Sequence, residues 1–162
     1  MTRFHNILAA VDFSQTSDDA LAVSVELTRA CHARVHVLHV VPDVPYATEP
    51  VVFDFAAFLR EGADAARKEL ADVVARHPIE PALLTTHVAV GAPAAEIVRY
   101  ATENAIDLIV LGAHGHGFFD RLLIGSVAER VARRAPCAVL MVPHATHRLT
   151  TFEVNAAAGV EG

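Results

Sequence analysis

The chain has 162 residues, 53% hydrophobic and 20% charged, with a net charge of −6 at neutral pH. That length fits one compact domain, and a mean hydropathy of +0.36 suits a sheet covered on both faces. The thirteen basic residues form no dense run, which excludes the usual nucleic-acid binders, and no stretch reaches a membrane-spanning length.

At the start, "MTRFHNILAAVDFSQ" has only the apolar run Ile7 to Val11 before Asp12, too short for a signal-peptide core. A cytoplasmic location is expected, with no membrane and no nucleic acid among the partners. Cys31 and Cys137 sit in no CxxC or metal-ligand spacing; both are expected as small, buried, reduced side chains.

In chain order, short β-branched runs alternate with segments of helical period, the pattern of βαβ units around a parallel sheet. "NILAAV" (6–11) is the first strand and "ARVHVLHVV" (33–41) the second. Between them a helix over 14–30 is polar at its start and apolar at Leu21, Val25 and Leu27. After a loop over 43–53, containing Pro45 and Pro50, a helix over 54–77 carries Phe55, Phe58, Leu59, Ala66, Leu70, Val73 and Val74 at spacings of three and four. "ALLTTHVAV" (82–90) is the third strand, followed by a helix with Pro93 near its first turn. "DLIVLGA" (107–113) is the fourth strand, "SVAERVARRA" a helix, and "CAVLMV" (137–142) the fifth strand. Residues 1–143 make the domain and 144–162 a tail.

Between the fourth strand and the last helix, "LGAHGHGFFDRLLIGS" holds Gly112, Gly115, Gly117 and Gly125. A connection of this length at the carboxyl edge of a doubly wound sheet is where ligands bind. Glycines let the backbone approach an anion, and a helix beginning at Ser126 would present unpaired N–H groups. It is not a Walker A loop, since Lys68 is the only lysine and lies on a different helix. It is not GxGxxG either, because Asp120 stands where the third glycine would. The spacing present is GxxG, nine residues, then GS.

With "ILAAVDFS", "VHVLHVVP", "VGAPAAEIVRYA", "DLIVLGAHGHG" and "LIGSVAERVARRAPCAVLMVP" in this order, the chain resembles the universal stress protein family, in its ATP-binding branch. The resemblance covers Asn6 to Val142. It implies a single α/β domain, doubly wound and Rossmann-like, of the adenine nucleotide alpha hydrolase-like kind, with a five-stranded parallel sheet in order 3-2-1-4-5. It implies ATP with Mg²⁺ as the bound group. Position by position, Ala10, Val11 and Asp12 would border ribose and adenine, and Val40 and Val41 the adenine. Gly112, His114, Gly115, Gly125, Ser126 and Val127 would line phosphates and ribose. Ala113 and His116 replace commoner polar or basic residues.

Several of these residues have simpler readings. Asp12 would cap the following helix or its loop, and Ser126-Val127-Ala128-Glu129 matches a capping box, with Ser126 as the cap. His114 and His116 could chelate a metal with His144 or His147, but His114 is better placed in the nucleotide loop. His36 and His39 point to opposite faces of their strand and cannot share a site. Arg121 is within reach of phosphates. The function expected is a regulatory protein whose state follows bound ATP; a weak ATPase or nucleotide-processing enzyme and a nucleotide-free interaction module are the alternatives. With no lysine at the loop, no residue is assigned a catalytic role and no metal site is assigned to the protein itself. The fifth strand, apolar and free of proline and charge, is expected at a sheet edge and as a homodimer contact; the resemblance suggests antiparallel pairing there.

Overall fold

The structure, a computed structural model, describes residues 4–43, 54–113 and 124–143. The expected loop beyond Asp43, the glycine stretch from His114 to Leu123 and the tail from His144 lie outside the described residues. Five strands, β1 (Asn6–Val11), β2 (Arg34–Val41), β3 (Leu84–Val90), β4 (Leu108–Gly112) and β5 (Ala138–Val142), form one sheet in the order β3-β2-β1-β4-β5. All four pairings are parallel. The helices are α1 (Gln15–Cys31), α2 (Phe55–Ala75), α3 (Pro93–Glu103) and α4 (Ser126–Arg134).

Side chains alternate along each strand, so each central strand feeds two cores. Ala9 and Val11 of β1 and Val35 and Val37 of β2 pack with Leu21, Val25 and Leu70 on the α1/α2 face. Leu8, Ala10, Leu38, Val40, Ile109 and Leu111 pack with Ile97, Tyr100 and Val131 on the α3/α4 face. Ile7, Leu8 and Ile109 are fully buried, as expected for strands covered on both sides.

Local chemistry sets the element ends. Ser14 caps α1, its hydroxyl accepting from the Ser17 N–H at 3.2 Å, and His32 closes it in the left-handed region at φ 53°. Pro93 opens α3 as its first residue. The third strand begins at Leu84 rather than at residue 82, because Pro81–Leu83 form a single 3₁₀ turn.

Three expectations are corrected. The apolar stripe of α2 is buried only from Ala63 to Val74, while Phe55 and Phe58 are exposed. Cys31 and Cys137 are half-buried rather than buried; burial, with the Asp107 carboxylate nearby, pushes the Cys137 thiol pKa up. Ser126 does not cap α4: the cap position is Gly125, Ser126 is the first helical residue, and α4 has no side-chain cap hydrogen bond among the described residues. No helix among the described residues is long and apolar enough to cross a membrane.

Candidate functional site

A cleft of about 520 Å³ opens at the carboxyl ends of β1, β2 and β4, within the usual range for small-molecule sites. Its floor is apolar: Ala10, Leu38, Val40 and Leu111 from the sheet, with Ile97 and Pro93 from α3. Asp12 and Ser17 stand at one side, and Gly112, Gly125, Ser126 and Val127 at the other. The sheet crosses from one winding direction to the other between β1 and β4, so the cleft lies at the switch point of a doubly wound sheet.

The anion-binding potential comes from α4. Its first helical hydrogen bond runs from Glu129 N to Gly125 O at 2.9 Å, so the N–H groups of Ser126, Val127 and Ala128, three residues that line the cleft, precede the helical ladder. These groups and the helix dipole give the cleft a positive end. The cleft-lining described residues include no lysine or arginine. The start of α4 is fixed by Gly125 N donating to Ala113 O at 2.8 Å, while Ala113 N donates to Val142 O at 2.8 Å. The chain therefore leaves β4 and re-enters α4 at one pinned point.

Asp12 is exposed at the rim. Its Oδ1 accepts from the Ser14 N–H at 3.0 Å and from the Ser14 hydroxyl, and its own N–H donates to Ser17 Oγ at 3.2 Å. It braces the turn into α1 while Ser14 supplies the helix cap.

Gly112 has a steric role that spacing does not reveal. A Cβ there would lie 2.9 Å from Thr16 Cγ2 and 3.0 Å from the Thr16 backbone carbon. The glycine lets the first turn of α1 close against the end of β4, which sets Ser17 and Asp12 beside the cleft. Of the remaining expected site residues, Ala10, Val11, Val40, Gly125, Ser126 and Val127 converge on the cleft. Val41 does not; it points to the other face, 3.6 Å from where a Cβ on Gly62 of α2 would sit. His114, Gly115, His116 and Arg121 lie outside the described residues.

Two features went unread in the sequence. Phe13 has φ 65°, a left-handed backbone that a phenylalanine rarely takes, and it stacks on His39 with ring centroids 4.1 Å apart. On the opposite face, buried His36 holds Tyr100 by a 3.0 Å contact between Nδ1 and the hydroxyl; burial, then the charge of Arg34, lowers its pKa. No cluster of three or more metal-ligating side chains occurs among the described residues.

A parallel sheet in this order, with a cleft at its switch point lined by the first turn of α4, defines a doubly wound, Rossmann-like α/β domain. The universal stress protein family matches residues 3–143, and the chain belongs to that family. It is 37% identical over 142 residues to a universal stress protein of Thermus aquaticus, covering 86% of this chain and 98% of that one. It is 30% identical over 142 residues to one of Methanocaldococcus jannaschii, covering 86% and 82%. Among solved structures, the universal stress protein UspA from Lactobacillus plantarum superposes with a TM-score of 0.70 at 31% identity, over 88% of this chain and 99% of that one. A universal stress protein solved in complex with cAMP shares the fold, with a TM-score of 0.63 at 23% identity, over 87% and 98%.

Proposed function

We propose that the protein binds ATP with Mg²⁺ in this cleft and acts as a cytoplasmic, nucleotide-responsive regulator rather than as a fast enzyme. The observation that carries the reading is the juxtaposition of an apolar floor with the N-terminus of α4, which has no side-chain cap among the described residues. A purine needs the first and phosphate oxygens need the second. The GxxG, nine residues, GS spacing in the sequence supports ATP over a nucleotide with fewer phosphates, because glycines at that spacing would let more backbone N–H groups approach a longer phosphate chain. The cAMP-bound structure is alike in fold only.

Asp12 is the one carboxylate lining the cleft among the described residues. One carboxylate beside phosphate oxygens and water suits Mg²⁺ that arrives with the nucleotide. Asp12 would hold that ion through water or bond the ribose, and the ion would neutralise phosphate charge. With no lysine or arginine among the described lining residues, positioned cations for phosphoryl transfer are lacking there, which favours binding over turnover. We also propose that two copies pair along β5, whose only strand neighbour among the described residues is β4 and whose Leu140 is 37% exposed.

The test is calorimetric titration of Mg-ATP into the wild-type protein and into Ser126→Asp, with mass analysis of any nucleotide released on heat denaturation. A carboxylate at the first helical position suits the dipole and adds about 0.3–1 kcal/mol to helix stability. It repels phosphate by roughly 2–3 kcal/mol, about a thirty- to hundred-and-fifty-fold loss of affinity. A variant that is at least as stable yet binds ATP as tightly as wild type refutes a phosphate site at α4.

A further inference from the structure

We propose that His39 is the positioning residue of the β1–α1 turn, setting the Asp12 carboxylate against the nucleoside end of the bound nucleotide. The inference rests on the nucleotide reading, and it concerns a side chain that reading leaves without a role.

His39 lies directly across from Val11 in the parallel register of β1 and β2. Its Nδ1 is 2.9 Å from the Val11 carbonyl oxygen. A carbonyl only accepts, so Nδ1 carries the hydrogen, and in the neutral ring Nε2 is left as an acceptor. The same ring stacks on Phe13, with planes 23° apart. One imidazole therefore holds both chain neighbours of Asp12: Val11 by a hydrogen bond and Phe13 by its face.

This explains why Phe13 tolerates φ 65°. A left-handed conformation is unfavourable for a residue with a Cβ, and such backbone persists where surrounding contacts fix it. The sharp turn at Phe13 lets Ser14 fold back so that its N–H and hydroxyl reach Asp12 Oδ1. His36, three residues earlier, cannot substitute, because it faces α3 and is held by Tyr100.

Three variants separate the two holds. His39→Phe keeps a ring but loses the donor; His39→Asn keeps a donor near the Nδ1 position but loses the ring; Phe13→Gly frees the backbone and removes the stack. Each is first checked for folding by urea denaturation. Binding is then measured for ATP, adenosine and inorganic triphosphate, alongside amide hydrogen exchange from 12 to 14 without ligand and the ¹⁵N resonances of the His39 ring. We expect the Nδ1-protonated tautomer in wild type. His39→Phe should weaken ATP and adenosine by roughly three- to tenfold, leave triphosphate unchanged and speed exchange in the turn. His39→Asn should recover part of both losses. Unchanged exchange and unchanged adenosine affinity in His39→Phe overturn the proposal, as does an equal loss for triphosphate. If wild type binds none of the three ligands, the nucleotide reading fails. Exchange alone then decides the hold on the turn, with faster exchange in His39→Phe upholding it and unchanged exchange overturning it.

Discussion

Replacing Gly112 by alanine tests whether this glycine serves packing rather than phosphate approach. The added Cβ would sit 2.9 Å from Thr16 Cγ2, 3.0 Å from the Thr16 carbonyl carbon and 3.1 Å from its oxygen. The last two are backbone atoms and cannot rotate away, so the first turn of α1 must move back from β4. Overpacking of this kind costs about 1–3 kcal/mol, and the reduced entropy of the unfolded alanine chain returns about 0.4–1 kcal/mol. A net loss of about 1–2 kcal/mol is expected, or roughly 2–8 °C in Tm for a domain of this size. Urea denaturation without nucleotide reads it directly. Adding Thr16→Ser removes Cγ2 and its 2.9 Å contact but leaves the backbone clash, so the double variant should recover less than half of the loss. A Gly112→Ala protein within about 0.5 kcal/mol of wild type in the absence of nucleotide would refute the packing account and leave anion approach as the reason for the glycine.

Two further outcomes follow from the geometry. Asp18, in the first turn of α1, accepts from His77 Nε2 and from Arg76, each at 3.1 Å, joining the end of α2 to the start of α1. Burial alone would raise the Asp18 carboxyl pKa, but the hydrogen bonds and charges of His77 and Arg76 outweigh it and hold it below the usual value. The folded value is therefore below the unfolded one: the stabilisation is present above the unfolded carboxyl range, about pH 4, and is lost as pH falls through the folded value. Asp18→Asn should flatten the acid limb of stability measured by urea midpoints, and an unchanged limb would show that the clamp is idle. For β5, light scattering coupled to size exclusion at micromolar concentration should give a dimer mass for wild type and a monomer mass for Leu140→Lys; a wild-type monomer would remove the edge-pairing proposal.

Much of the fold was legible because the central strands are apolar on both faces and the connecting segments keep helical period. Strand ends fell within two residues of their expected places. The order of the strands was different in kind: periodicity does not specify it, and it came with the family resemblance. At the site, the spacing of Gly112, Gly125 and Ser126 located the cleft but not the work of each residue. Ser126 matched a capping pattern because serine and glutamate stand three apart, yet the helix starts one residue earlier than that pattern requires, with Gly125 at the cap. The contact of Gly112 with Thr16 joins residues nearly a hundred positions apart, and no local pattern carries it. Phe13 gave no signal, since its backbone is set by a ring on the neighbouring strand rather than by its own propensity.

At the end of the sheet remote from the cleft, Asp107 accepts from the N–H groups of His5, at 2.8 Å, and Asn6, just before β1 and β4 come into register from Ile7 and Leu108. Along the chain, β1 meets β2 through one short crossover, but it waits a hundred residues for its other neighbour. During synthesis from the N-terminus, the central strand of the finished sheet is therefore an open edge until β4 has emerged, carrying the fully buried Ile7 and Leu8. Long-range parallel pairing is slow, and unpaired apolar edges invite association. A nascent chain stalled before Asp107 should engage holding chaperones, and release from them should follow once β4 can dock.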